Sequence, residues 1–331
     1  MQSSLNHDTE LAGSLQTTPR TIAITGGTGF IGRGLAALHI EAGDVVRVLS
    51  RQSAEDAQLE GCQLYPADLT KEDIDLRSFV DNVDVLYHCA GEVRDESRMR
   101  ALHVNGTQRL LMAASGTIGH WVQLSSVGAY GPRRNGTITE KEVERPIGPY
   151  ETSKAAADSA VMHEPGITFT VLRPSIVFGT KMPNNSLRQM IKLIDRRLFF
   201  YVGEPGASAN YVHVSNVVDA LYLCGKQEAP AGSIYNLSDW RAMESFVGTV
   251  ANELGRRAPS LRAPERLVRF GAQTVGHLPG VPLSQSRIDA LTNRSIYDSG
   301  RIQRDLRFAF ATTIEHGLQE LVGDWRRKRH R

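Results

Sequence analysis

Cysteine is scarce in this sequence, with three residues among 331: Cys62, Cys89 and Cys224. An odd number at wide spacing excludes a disulfide framework and the paired spacings of a zinc site, so we expect reduced core cysteines. Long apolar runs are also absent, since none approaches the roughly 18 residues that a membrane span needs. The N-terminus lacks the basic and then apolar layout of a signal peptide. These absences predict a soluble, cytoplasmic protein with no membrane span and no metal site.

Charge of one sign is equally scarce, because 38 lysines and arginines are offset by 36 carboxylates to give a net charge of +2. This balance gives no case for a nucleic-acid partner. One local exception is the basic run at residues 325–331. It fits either a membrane-surface or nucleic-acid patch, or solvated cations favoured by the helix dipole. Residues 1–19 are polar and aperiodic, which predicts a disordered tail.

What the sequence does contain, early on, is a short apolar run at residues 21–25 followed by glycines spaced G-x-x-G-x-x-G and an apolar helical pattern. A strand, a tight turn and a helix N-terminus in this order form the binding place for a dinucleotide pyrophosphate. A glycine turn without a ligand is the alternative. The cofactor contacts predicted in this turn are Gly26, Thr28, Gly29, Phe30, Ile31 and Gly32.

A second pattern combines Tyr150 and Lys154, which share a helix face because they are four residues apart. A tyrosinate that works near neutrality needs its pKa lowered by roughly three units, or about 4 kcal/mol. The Lys154 ammonium and a cationic nicotinamide can supply this stabilisation. Ser126, at the end of an apolar strand, is predicted to bond the substrate oxygen. An isolated Y-x-x-x-K is more typical of a solvated helix face, but the glycine turn and Ser126 favour a catalytic set.

On these residues the chain resembles the extended short-chain dehydrogenases/reductases of the nucleotide-sugar epimerase and dehydratase group, from Thr21 to about Trp325. The resemblance implies that Asp68 and Leu69 contact the adenine. It also implies that the backbone at Ala90 passes under the cofactor. Tyr150 and Lys154 are cofactor contacts as well as catalytic residues, with Lys154 holding the ribose.

One segment departs from the family. The family's N-x-x-G-T is matched only loosely, since Asn105 directly precedes Gly106 and Thr107, and we assign Asn105 a structural or helix-distorting role.

Short apolar segments alternate with helical patterns along the first half of the chain. This alternation predicts an α/β fold with a Rossmann-type, doubly wound parallel sheet and a smaller, mostly C-terminal α/β lobe. The predicted dinucleotide-binding domain covers residues 20–178 and is rejoined by about 211–237, and the substrate lobe covers 179–331. Ligands bind at the carboxyl ends of such strands, where Arg173 also falls, so Arg173 joins the predicted cofactor contacts.

The end of the second predicted strand bears on cofactor choice. An NAD enzyme usually presents a carboxylate there, whereas a 2′-phosphate needs a nearby guanidinium. In this chain Ser50 occupies the position of that carboxylate, and Arg51 follows it. We therefore predict NAD(P) binding with a preference for NADP(H). Arg33 is a second candidate phosphate contact. The alternative is that Arg51 stacks on the adenine and the enzyme takes either cofactor.

The predicted reaction is hydride exchange at a secondary alcohol or ketone, with Tyr150 moving the proton. Family dehydratases place an acidic pair directly after the active-site hydroxyl residue. Val127 and Gly128 stand there in this chain, which disfavours a dehydratase. A 4-epimerase and a 4-ketoreductase both remain open.

The predicted substrate is a nucleotide-activated sugar, as in surface-polysaccharide biosynthesis. Many UDP-sugar enzymes carry a diphosphate-binding arginine where this chain has Ala209, and the candidate replacements are Arg188, Lys192, Arg197 and Arg294. Two other interpretations stay open: a hydroxysteroid or dihydroflavonol-type ketone reductase, and a non-catalytic cofactor-binding sensor. The family resemblance also implies a homodimer.

Overall fold

The computed structural model describes residues 18–52, 59–226, 230–275 and 285–329. The predicted disordered tail lies outside these residues up to position 17, as do positions 330 and 331 of the basic run. Among the described residues, no helix combines the length and apolar character needed to cross a membrane. The cysteines are free, with Cys224 buried and Cys62 and Cys89 half-buried.

The secondary structure alternates along the chain. The strands are β1 (Thr21–Thr25), β2 (Val45–Ser50), β3 (Cys62–Pro66), β4 (Val83–His88), β5 (Ile118–Leu124), β6 (Asn135–Ile138), β7 (Phe169–Pro174), β8 (Ile176–Phe178), β9 (Tyr201–Val202), β10 (Ser208–His213), β11 (Ser233–Leu237), β12 (Asp239–Ala242), β13 (Arg262–Ala263) and β14 (Arg294–Tyr297). The α-helices are α1 (Gly32–Glu41), α2 (Arg77–Val80), α3 (Glu96–Met99), α4 (Thr107–Ala114), α5 (Pro149–Met162), α6 (Ser186–Asp195), α7 (Val214–Cys224), α8 (Met243–Glu253), α9 (Glu265–Val275), α10 (Gln285–Thr292), α11 (Gly300–Asp305) and α12 (Ile314–Arg329). A 3₁₀ helix spans Val127–Tyr130 and a π-helix spans Arg100–Gly106.

The main sheet has seven parallel strands in the order β11-β7-β5-β4-β1-β2-β3. Side chains alternate between its faces, so Ile22 and Ile24 pack in one apolar core and Ala23 packs in another on the opposite face. The strand order reverses at β1, which pairs with β2 on one side and β4 on the other. A ligand crevice is expected beyond the carboxyl ends at such a reversal. The predicted Rossmann-type α/β fold is confirmed.

A second region of the molecule has its own core, in which α6, α8 and α12 pack around Phe178, Tyr211 and Phe246. Its small sheets are β12-β10-β8, β13-β9 and β14-β6. The chain returns from this region to the main sheet at α7 and β11. It returns again near α11, where Ile302 and Phe308 join the core around Ile22. The hydrophobic periodicity of the sequence does not indicate that the chain returns to the main sheet near α11.

Candidate active site

The turn after β1 is shaped by positions where only glycine fits. Gly26 has a φ of 68°, and a Cβ there would lie 2.8 Å from backbone atoms of Ala90. A Cβ on Gly32 would lie 2.3 Å from the carbonyl oxygen of Gly26. The Gly29 N–H donates to that same oxygen at 2.9 Å, which holds the turn tight. The result is a backbone cradle at the N-terminus of α1, as a pyrophosphate requires.

A cleft of about 240 Å³ opens beside this turn, at the carboxyl ends of β1 to β4. Most of the predicted cofactor contacts line it, namely Gly26, Thr28, Gly29, Ser50, Arg51, Asp68, Leu69 and Ala90. Three other predicted contacts from the glycine turn do not, and neither do Tyr150, Lys154 and Arg173. Phe30 packs against the second core and Ile31 against the main core, while Gly32 acts through its close approach to Gly26. Arg33 does not line this cleft either.

The far wall of the cleft carries the groups that bear on cofactor choice. Ser50 is buried and its hydroxyl lies 3.3 Å from that of Thr28. Arg51 is exposed and faces Asp68. Burial is the largest influence on the Asp68 carboxyl and raises its pKa, but hydrogen bonds from Thr70 and the charges of Arg51 and Arg98 leave that pKa below its usual value.

Ser126 and Lys154 both lie near the carboxyl end of β5, where Ser126 follows the strand and Lys154 bonds its last residue. Ser126 caps the 3₁₀ helix, and its Oγ accepts the N–H of Gly128 at 3.1 Å, so the hydroxyl proton stays available for a substrate oxygen. Lys154 is buried, and its Nζ donates to the carbonyl oxygen of Leu124 at 2.5 Å. A Cβ on Gly128 would lie 2.7 Å from Cγ of Glu151, so the turn after Ser126 packs directly on the helix of Tyr150.

Tyr150 is half-buried on the first turn of α5, and its phenol differs from the sequence-based expectation. Burial, followed by the charges of Glu151 and Asp158, raises the pKa of Tyr150 to about 12. Lys154 does not lower it, because the ammonium is directed at Leu124 and burial lowers the pKa of Lys154 itself. The expected lowering of the Tyr150 pKa by Lys154 is therefore not present in this structure.

Arg173 is also placed differently from the prediction. Its guanidinium is buried and donates to Asp158 at 3.1 Å and to Glu144, and it stacks over the ring of Tyr130. Asp158 in turn accepts from Ser125 at 2.5 Å. With its guanidinium engaged by Asp158 and Glu144, Arg173 supports the catalytic helix and does not line the cleft beside the glycine turn.

Sequence reasoning missed three residues that border the site. Arg98 lines the cleft, 3.8 Å from Asp68. Asp158 follows Tyr150 and Lys154 on the same helix face, a spacing that could have pointed to it. His103 lies edge-on to Tyr150 with ring centroids 5.7 Å apart. It occupies the asparagine position of the N-x-x-G-T pattern, counted back from Thr107, and this was the available signal.

Fold and site together define a dinucleotide-binding enzyme of the extended short-chain dehydrogenase type. The chain belongs to the NAD dependent epimerase/dehydratase family, whose family model matches residues 22–238.

Two curated relatives cover nearly the whole chain. A 4-hydroxy-2-methyl-3-oxo-4-farnesyl-3,4-dihydroquinoline-1-oxide ketoreductase from Stigmatella aurantiaca is 27% identical over 90% of this chain and 94% of its own. A 3 beta-hydroxysteroid dehydrogenase/Delta 5-->4-isomerase from Mycobacterium tuberculosis is 24% identical over 93% of this chain and 91% of its own. Among solved structures, UDP-glucuronic acid 4-epimerase from Bacillus cereus, in complex with NAD, has a TM-score of 0.70 at 16% identity. That match covers 93% of this chain and 99% of the other.

Proposed function

We propose that this enzyme reduces a bulky, mainly apolar ketone, or oxidises the corresponding secondary alcohol. The observation that carries this proposal is that two of the four candidate diphosphate-binding residues, Arg188 and Arg294, are bonded to carbonyl oxygens within the lobe. Arg188 donates to the carbonyl oxygens of Thr180 and Met182, and Arg294 donates to those of Glu204 and Pro205. A nucleotide sugar needs such guanidinium groups for its diphosphate.

Apolar side chains near the site support the same substrate class. Val93 follows the cleft-lining Glu92 and is 52% exposed, and Ile147 precedes the catalytic helix and is 67% exposed. Exposed apolar groups beside a binding cleft favour an apolar ligand. The two curated relatives are named for a farnesyl-bearing quinoline and for hydroxysteroids, which are substrates of this kind.

The chain's own residues divide the chemistry between them. A bound nicotinamide cofactor would supply or accept the hydride. Ser126 donates a hydrogen bond to the substrate oxygen and orients it, and Tyr150 gives that oxygen its proton. With its pKa raised to about 12 by burial, the Tyr150 phenol is protonated at neutral pH and can act as the proton donor in ketone reduction. Lys154 holds the end of β5 through Leu124 and lies on the helix face that would meet the ribose.

The dehydratase reaction remains disfavoured on structural grounds. A side chain at position 128 would meet the aliphatic part of Glu151. There is no space for the acidic residue that elimination of water needs at this point unless Glu151 moves.

For the cofactor we propose NADP(H). The residues Ser50, Arg51 and Gln52 offer no carboxylate for a ribose hydroxyl at the end of β2. They offer a guanidinium, a hydroxyl and the backbone at the edge of the cleft. These are groups that bind a phosphate.

The second candidate substrate is the nucleotide sugar that the resemblance implies. A role in surface-polysaccharide biosynthesis would follow only if this second substrate is the true one. It is favoured by fold likeness to UDP-sugar epimerases. A non-catalytic sensor has less support, because Tyr150 and Lys154 are both retained beside Ser126.

We also propose that residues from about 179 onward form the substrate lobe, apart from the segments that return to the main sheet.

We further propose a homodimer whose interface is formed by the helices α4 and α5, where Met112 is 81% exposed. Size-exclusion chromatography with light scattering of the wild type and Met112→Glu tests the dimer.

The substrate is tested by incubating the protein with NADPH or NADH and a set of steroid, aromatic and prenylated ketones, following cofactor absorbance. We expect ketone-dependent oxidation of NADPH that is lost in Tyr150→Phe. A parallel incubation with UDP-glucose or UDP-glucuronic acid, analysed for the 4-epimer, should show no conversion. Epimer formation without ketone reduction would overturn the proposal in favour of the second candidate.

A further inference from the structure

His103 is a buried imidazole with both nitrogens bonded. It is 1% exposed, and its Nε2 lies 2.8 Å from the backbone nitrogen of Glu92. Its Nδ1 lies 2.8 Å from Oγ of Ser153. The ring meets that of Tyr150 at an angle of 83°. No other imidazole among the described residues contacts the Tyr150 ring in this way.

The partners determine where the proton of His103 sits. A backbone N–H can only donate, so Nε2 must be the accepting nitrogen. Nδ1 then carries the proton and donates to Ser153, whose hydroxyl donates to the carbonyl oxygen of Tyr150 at 2.9 Å. Burial, helped by the Lys154 charge, lowers the pKa of His103 to about 3, so the ring is neutral. One tautomer is therefore fixed.

The two partners belong to different walls of the site. Gly91 and Glu92 line the cofactor cleft after β4. Ser153 lies on α5, between Tyr150 and Lys154. The imidazole of His103 thus spans the gap between the loop that faces the cofactor and the helix that carries the proton donor.

The backbone of His103 is held by a chain of hydrogen bonds that leads to β4 and β1. Thr107 Oγ1 donates to the His103 carbonyl oxygen at 2.5 Å. His88 Nε2 lies 2.9 Å from the same hydroxyl, and His88 Nδ1 lies 2.6 Å from Oγ1 of Thr25. This chain of hydrogen bonds ties the π-helix Arg100–Gly106 to β4 and to β1, directly before the glycine turn.

We infer that His103 is a positioning residue that fixes the distance between the cofactor-facing loop at Gly91 and Glu92 and the catalytic helix at Tyr150. Its effect on turnover rests on the proposed function, whereas its effect on the loop does not. A residue that only filled space would not need these hydrogen bonds, whereas the positioning role of His103 requires both of them.

Two substitutions separate positioning from packing. His103→Leu fills much of the space but can neither accept from Glu92 nor donate to Ser153. His103→Asn restores the asparagine of the N-x-x-G-T pattern, and its amide can accept a hydrogen bond from Glu92 and donate one to Ser153. His39→Leu is the matched control, because His39 is 0% exposed and bonded to Asp44 and Tyr87 on the far side of the molecule.

The kinetic measurement is kcat and KM for a ketone substrate, with melting temperatures to confirm that each variant folds. We expect His103→Leu to lower kcat by about thirtyfold with KM within about threefold. His103→Asn should recover most of the loss, and His39→Leu should leave kcat unchanged. A folded His103→Leu enzyme with wild-type kcat would overturn the inference, as would equal losses in the leucine and asparagine variants.

A second measurement does not need turnover. Hydrogen exchange followed by mass spectrometry should show faster exchange of the Glu92 amide in His103→Leu than in the wild type and in His39→Leu. Unchanged protection of Glu92 would also overturn the inference. If no ketone is reduced by the wild type but Glu92 loses protection in His103→Leu, the proposed function fails while the positioning role stands.

Discussion

At the glycine-turn end of the site the protein is shaped by its backbone, and at the Tyr150 end it is shaped by buried side chains. The turn at Gly26 and Gly32 is defined by where a Cβ cannot fit, and the residues around it are half-open to solvent. Around Tyr150, by contrast, Lys154, Asp158 and His103 are buried, and each is hydrogen-bonded to a neighbouring group: Lys154 to Leu124, Asp158 to Ser125 and His103 to Ser153. Chain geometry thus defines the glycine turn, while buried charges and hydrogen bonds define the surroundings of Tyr150.

The largest effect should come from removing the proton donor. Tyr150→Phe keeps the ring beside His103 but removes the hydroxyl, and we expect kcat to fall by about 10³-fold. Cofactor affinity, measured by fluorescence titration, should change by less than about threefold, because the phenol is not needed for adenosine binding. Tyr297→Phe serves as the control, and ketone reduction at wild-type rate in Tyr150→Phe would contradict the catalytic assignment.

A second prediction concerns the charges beneath the catalytic helix. Asp158→Ala leaves the buried Arg173 and Lys154 without their shared counter-charge. We expect the free energy of unfolding, measured in urea, to fall by about 3 kcal/mol. Asp75→Ala is the control, because Asp75 forms an exposed pair with Arg77 and its loss should leave the unfolding midpoint unchanged. Equal stability of the two variants would mean that the buried network does not support the site.

The backbone end can be tested by adding one methyl group. Gly32→Ala places a Cβ against the Gly26 carbonyl oxygen, and we expect a loss of about 2 kcal/mol in cofactor binding, or roughly thirtyfold in Kd. Gly248→Ala in α8 is the matched control, since a Cβ there meets nothing within 4 Å. An unchanged Kd in Gly32→Ala would show that the turn relaxes without affecting the ligand.

The smallest expected effect separates the two cofactors. Arg51→Ala should raise the Kd for NADPH by about tenfold and leave that for NADH nearly unchanged, because only the former carries a 2′-phosphate. Isothermal titration of both cofactors checks this. An equal loss for NADH and NADPH would indicate that Arg51 stacks on the adenine instead.

The comparison of the two ends also explains what could be predicted from the sequence. The glycine turn and the Tyr150 and Lys154 pair are local patterns. Together with Ser126 and the alternation of apolar and helical segments, they indicated the fold and the site. The ion pairs of Arg173 could not be predicted, because its partners, Asp158 and Glu144, come from other parts of the chain.

The electrostatics at Tyr150 were missed for a related reason. Helical spacing puts Tyr150 and Lys154 on one face, but it does not say how deeply each is buried or where the ammonium points. Burial proved the largest influence on both pKa values. His103 was overlooked because the sequence was interpreted with a regular helical period, which the π-helix interrupts.

Because the segment Arg100–Gly106 is a π-helix, the position of His103 depends on the number of residues in the segment as well as on their identity. A π-turn accommodates one more residue than an α-turn, and each residue of an α-helix advances the chain by about 100° around its axis. Deleting a single residue between Arg100 and His103 would remove the extra residue of the π-turn and allow ordinary α-helix to form, which would move the imidazole relative to α5. Relatives that differ here by one insertion or deletion should therefore differ in rate even when every named side chain is shared.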